Sequence, residues 1–203
     1  MNLQQSQYNC IGIVAKHCDS SKLCIAEDEA SRFDLSELFC DFWIDILDII
    51  KEVEDYGKYP KPPLPEHYAE KKELLEGGTY LDCKGKNRPF EGVYSIMAYY
   101  SYSRYIILNG FSDTPNGLVQ KTNEFSIPKS LKELESFADK YRNMGRISFD
   151  RTVKYICSKK DIFDFSDCPK TECGCDSCGC GGTKAKGYGF KSSNVNKWVL
   201  VKK

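Results

Sequence analysis

Residues 90–109, FEGVYSIMAYYSYSRYIILN, decide how this chain is built. Tyr94, Tyr99, Tyr100, Tyr102 and Tyr105 are interleaved with Val93, Ile96, Met97, Ala98, Ile106 and Leu108. At helical spacing these groups reach most of the circumference, and a helix that is apolar on nearly every side has to be covered on nearly every side. It ends at Asn109-Gly110, where glycine supplies the left-handed residue that closes a helix. A second helix follows over 130–156. Ser130 stands three residues before Glu133, a capping box, and Leu131, Leu134, Ala138, Tyr141, Gly145, Phe149, Val153 and Ile156 fall on one stripe. Neither helix carries a catalytic set, so the pair points to assembly and away from chemistry.

The segment between them, Gly110 to Lys129, reads as a long polar loop, with a turn signal at Asp113-Thr114-Pro115-Asn116-Gly117 and a second break at Ile127-Pro128. A loop of that length in a compact domain is usually functional or disordered. Upstream, a helix is expected from about Lys22 to Phe33. Asp34, with Glu37 three residues on, reads as the cap of a longer helix. The apolar positions Leu35, Leu38, Phe39, Phe42, Trp43, Ile46, Ile49, Ile50 and Val53 of that helix keep their spacing until Gly57. Tyr59 to Pro65 is a proline-stiffened connector, and a short helix around 66–75 ends at Gly77-Gly78. Thr79 to Arg88 reads as a small hairpin turning near Lys84-Gly85, with Pro89 opening the tyrosine-rich helix. The expected fold is therefore mainly α: a helical bundle of four to five helices with a small β-hairpin and an irregular Cys-rich C-terminal extension. The divisions are an N-terminal arm (1–21), a helical core (22–158) and a Cys-rich, basic extension (159–203).

A chain of 203 residues can bury one good core and a small appendage. No apolar run is long enough to span a bilayer, since Trp43 to Ile50 is interrupted by Asp45 and Asp48, and the opening MNLQQSQYNC lacks the pattern of a signal peptide, so no membrane partner and a cytosolic site of synthesis are expected. In a reducing compartment eleven cysteines mean buried thiols or metal ligands more than disulfides. Cys168, Cys173, Cys175, Cys178 and Cys180 lie among glycines that permit tight turns, and Cys175-x-x-Cys178 has the spacing of a zinc knuckle. A structural zinc, reduced structural thiols and disulfides all remain open for this cluster, and a closed four-Cys shell would leave no position for a catalytic water.

Only two histidines are present. His17 adjoins Cys18, and neighbouring residues point apart in helix and strand alike, so they do not make a base and nucleophile; His67 follows a proline run. No phosphate-binding loop is present. An enzyme is not expected, and no cofactor is required. The formal net charge of zero hides a separation: from Glu27 to Asp55 eleven acids face only Arg32 and Lys51, while Lys184 to Lys203 holds six lysines and no acid. Each run is either a solvated face or one half of a contact between an acidic and a basic surface.

AYYSYSRYIILNG, DTPNGLVQKTNEFS and SLKELESFADKYRNM, with EASRFDLSELFCDFW and LLEGGTYLDCKGKNRPFEG upstream, resemble the head-to-tail connector (adaptor or ring) proteins of tailed bacteriophages, above all those of crAss-like phages. The resemblance runs from about Lys22 to Ile156 and leaves out the Cys-rich tail. It implies a structural virion protein of the head-tail junction, assembled in the host cytoplasm. Copies of the chain would form a ring between the capsid portal and adjacent connector or tail proteins, with DNA as passing cargo. Tyr99, Asp113, Pro115, Asn116, Gly117 and Trp198 are the expected interface residues. The competing expectation, resting on the cysteines and the lysines, is a zinc-stabilised nucleic-acid-binding regulatory protein.

Overall fold

The tyrosine-rich helix is the centre of the molecule. The computed structural model describes residues 3, 8, 18–59, 62–82, 84–114, 117–120 and 130–165, with the backbone alone at 112–114 and 117–120. The elements are α1 (Ser20–Glu29), a π-helical turn (Ala30–Leu35), the single turn α2 (Ser36–Phe39), α3 (Phe42–Lys58), α4 (Tyr68–Glu76), β1 (Gly78–Leu81), β2 (Asn87–Phe90), α5 (Gly92–Gly110), β3 (Phe111–Thr114), β4 (Gly117–Gln120) and α6 (Leu131–Ser158). The fold is mainly helical, as expected, and the β1–β2 hairpin forms where the turn residues placed it, with Gly78 opposite Phe90 and Leu81 opposite Asn87.

Every residue of α5 is buried or half-buried, because α6, α1 and α4 cover its different sides. Two apolar clusters result. The larger joins Phe39, Trp43, Ile46, Leu74, Leu75, Ile96, Met97, Phe149 and Tyr155. Phe39 meets Phe149 edge-on at 5.0 Å, and Phe90 stacks on Tyr155 at 4.2 Å. The smaller cluster, toward the C-terminal half of α5, consists of Tyr8, Ala26, Ala98, Tyr102, Tyr105 and Tyr141. α6 starts as its sequence dictates: the Ser130 side chain accepts from Glu133 N while the Glu133 carboxylate accepts from Ser130 N, so both orphan donors are satisfied.

Four expectations are corrected. Asp34 does not cap a helix: the chain continues from α1 through the π-helical turn, and Asp34 accepts from Arg104 Nε at 2.6 Å. The break falls at Cys40, whose φ is 53°, and α3 then runs past Gly57 to Lys58. Pro89 does not open α5. It sits in β2 opposite Thr79, and α5 starts after a tight crossing at Gly92 (φ 77°), where a Cβ would lie 2.4 Å from Gly77 N and 2.6 Å from Leu75 O. The loop after α5 opens with a second hairpin, in which Phe111 is opposite Gln120 and Thr114 opposite Gly117. Finally, the core does not close at Ser158, because Phe163 and Phe165 are buried in the larger cluster.

Candidate assembly surface

The β3–β4 hairpin leaves the bundle at a fastened root. Lys22 Nζ, from the first turn of α1, donates to Leu108 O at 2.9 Å and to Phe111 O at 3.0 Å, which satisfies carbonyls at the end of α5 and places a cation at its negative pole. On the other side, Gly110 is the last residue of α5 and does not take the left-handed conformation expected of it; a Cβ there would lie 2.5 Å from Leu134 Cδ1, a methyl that a change of rotamer can move. Thr114 and Gly117 are paired across a two-residue turn, which makes them a hydrogen-bonded pair. Alternation along an antiparallel ladder then sends the backbone groups of Phe111 and Asp113 outward on one edge and those of Leu118 and Gln120 outward on the other. The Phe111 carbonyl is the one Lys22 takes. Among the described residues no third strand pairs with the β4 edge.

Behind the root lies a buried polar contact. Tyr8 is 1% exposed and its hydroxyl donates to Glu27 Oε1 at 2.5 Å; Leu3 N donates to Glu27 Oε2 at 3.3 Å. Burial raises the pKa of both the Tyr8 phenol and the Glu27 carboxyl above their ordinary values. Tyr105 O–H accepts from Asp19 N at 3.0 Å. Asp19 is the N-cap of α1 and accepts from Ser21 N and Lys22 N. The aromatic residues of α5 are therefore partly polar partners for α1, not a uniformly greasy stripe. Burial likewise pushes the Tyr100 phenol up to about 12.

Arg104 is the single charged residue of α5. Its Nε meets Asp34 Oδ2 at 2.6 Å and its Nη1 meets Glu29 Oε2 at 3.0 Å, while the guanidinium lies 5.6 Å from the centre of the exposed Phe33 ring. This fork clamps the π-helical turn to the central helix. Several acids of the Glu27–Asp55 run are thus engaged inside the chain: Glu27 with Tyr8, Glu29 and Asp34 with Arg104, Asp28 with Arg32, Asp48 with Lys51, and Glu52 with Lys71 at 2.7 Å. Asp41, Asp45, Glu54 and Asp55 are exposed.

Of the expected interface residues, Asp113 and Gly117 lie on the hairpin, on opposite sides of its turn. Tyr99 is half-buried, with its ring 6.5 Å from that of Tyr141. Pro115, Asn116 and Trp198 lie outside the described residues, as do Cys168, Cys173, Cys175, Cys178 and Cys180. Among the described residues no group of three or more metal-ligating side chains converges, and no described helix is long and apolar enough to cross a membrane. Cys40 and Cys157 are disulfide-bonded, so the thiols are not uniformly reduced as the composition suggested. Residues that sequence reasoning passed over are Tyr8, Lys22, Glu27 and Arg104. Arg104 carried a readable signal, a lone charge in an otherwise apolar helix; Glu27 carried none, being one acid in a run of acids.

Residues 48–177 match the model of DUF6712, described as a family of unknown function. The chain belongs to DUF6712. The DUF6712 match begins inside α3 and takes in the first hairpin, α5, the second hairpin and all of α6. It does not include Tyr8, Asp19, Lys22, Glu27, Glu29 or Asp34, so the contacts that fasten Tyr105, Leu108 and Arg104 of α5 reach outside the family segment. No curated protein and no solved structure matches the chain.

Proposed function

We propose that this chain is a structural connector subunit of a tailed bacteriophage, which forms an oligomeric ring between the capsid portal and the tail and lets DNA pass. The observation that carries the reading is the β3–β4 hairpin. It is rooted by Lys22 at the junction of α5 and α6, and no described strand pairs with its β4 edge. An unpaired edge is a template for a strand from another chain, which natural proteins otherwise cover or blunt. Head-to-tail contacts of this kind close into rings when the rotation between copies closes. The sequence resemblance to connector proteins supports the same reading and names the portal and the adjoining tail proteins as partners. No catalytic step is part of it.

The test is assembly of the purified full chain, measured by native mass spectrometry and negative-stain imaging with and without portal. Rings, or particles seated on the portal, are the expected result. In Leu118→Pro the imino ring removes an outward N–H without touching the hydrogen bonds inside the hairpin, and this variant should stay folded while losing rings. A wild-type chain that stays monomeric alone and with portal overturns the reading. A monomer or dimer whose DNA affinity falls steeply with salt would instead favour the nucleic-acid-binding regulator.

A further inference from the structure

Two described residues of the N-terminal arm, Leu3 and Tyr8, touch the body of the protein. Both hydrogen bonds from Leu3 and Tyr8 end on one side chain, the carboxylate of Glu27, which is itself 3% exposed. The Tyr8 ring fills the smaller cluster between Ala26 of α1, Ala98, Tyr102 and Tyr105 of α5, and Tyr141 of α6. That cluster lies beside the contacts that hold the hairpin root. Tyr105 accepts from Asp19 N at the head of α1, and Lys22, in the first turn of that helix, donates to Leu108 O and Phe111 O. The chain of contacts is continuous: Tyr8 to Glu27 on α1, α1 to Tyr105 and to Lys22, and Lys22 to the first residue of β3.

We propose that Tyr8 and Glu27 form a latch, and that docking of the N-terminal arm through it sets the seating of the β3–β4 hairpin. With the arm docked, Tyr8 packs the C-terminal half of α1, at Ala26 and Glu27, against α5, and the same helix holds Lys22 of its first turn over the carbonyls of Leu108 and Phe111. With the arm released, Glu27 loses both of its donors and takes water in their place, α1 loses a wall of its packing, and the hairpin root loosens. The coupling runs along α1, from Glu27 near its C-terminal end to Lys22 in its first turn, and it needs no change elsewhere in the fold. Its bearing on assembly rests on the connector reading above; the coupling itself does not.

Hydrogen exchange and limited proteolysis of the full-length protein test it. Tyr8→Phe keeps the ring and removes the donor. It should speed exchange of the amides of 111–114 and 117–120 roughly fivefold, the worth of about one net hydrogen bond, and should expose the arm to protease. The amides of α4 and the β1–β2 hairpin should stay as in the wild type. Glu27→Gln, whose amide oxygen still accepts from the phenol, should keep most of the hairpin protection that Glu27→Ala loses. Lys22→Met should loosen the hairpin while the arm remains protected. Wild-type exchange of the hairpin in both Tyr8→Phe and Glu27→Ala overturns the latch, and so does loosening spread evenly over all elements, which is mere destabilisation. A Tyr8→Phe protein with a loosened hairpin but intact rings supports the latch and counts against the hairpin as the ring contact.

Discussion

Gly145 sits where α6 crosses α5. A Cβ there would lie 2.8 Å and 2.9 Å from two ring atoms of Tyr100 and 3.1 Å from Tyr99 Cβ. The Tyr100 ring is buried and cannot swing aside. Gly145→Ala should therefore destabilise the protein by roughly 1–3 kcal/mol, the range for overpacking a filled core. Gly57, inside α3, has nothing within 4 Å of its would-be Cβ. There the same change should stabilise by about 0.5–1 kcal/mol, because it removes the excess freedom of glycine in the unfolded chain. Urea unfolding of the two variants should shift the midpoint in opposite directions. The helical stripe already placed Gly145 toward the core. What it could not show is why the residue there must be small, since that depends on which ring of α5 lies opposite.

Among the elements, the first hairpin owes its form to one carboxylate. Asp82 Oδ1 accepts from Lys84 N at 2.9 Å and Lys86 N at 2.8 Å, and Oδ2 accepts from Arg88 Nε at 2.8 Å. The Lys86 N–H first, and then the Arg88 side chain, hold the Asp82 carboxyl down to about 2 from an ordinary 3.8. Because the folded value is the lower one, the stabilisation is complete above about 3.8 and is lost as pH falls through about 2. Amide shifts and exchange of residues 84–88 should report that loss in the full chain, and Asp82→Asn should remove the step. Turn chemistry made this hairpin readable. The second was not, because Asp113 to Gly117 carries the same kind of turn signal as a plain loop and its flanks do not alternate. Asp34 failed in the opposite sense: its spacing from Glu37 fits a cap, but a guanidinium 70 positions away binds it more strongly than a backbone N–H would.

For the whole molecule, the decisive question is where the core ends. Phe163 is 3% exposed and Phe165 6%. Phe165 meets Phe42 edge-on at 5.2 Å and Phe39 at 6.4 Å. Both lie beyond Ser158, where α6 ends. A boundary at Ser158 therefore cuts the main core. Phe165→Ala should cost about 3–5 kcal/mol in urea unfolding. A chain ending at Ser158 should lose at least as much relative to one ending at Phe165, which keeps the pair. Equal stability of the two truncated chains would show that the aromatic pair contributes little.

The sequence by itself determined the mainly helical class, the long helices α5 and α6, the capping box of α6 and the first hairpin. Apolar spacing, caps and turn residues act over a few positions and can be read in any window that contains them. Tertiary structure alone decided that Arg104 fastens a π-helical turn, that Tyr8 reaches Glu27, that Lys22 roots the second hairpin, and that two phenylalanines beyond α6 complete the core. The Arg104, Tyr8 and Lys22 contacts join residues from 19 to 89 positions apart. A buried charge or phenol takes whichever partner the packed helices bring within reach, and no local pattern encodes which faces will meet.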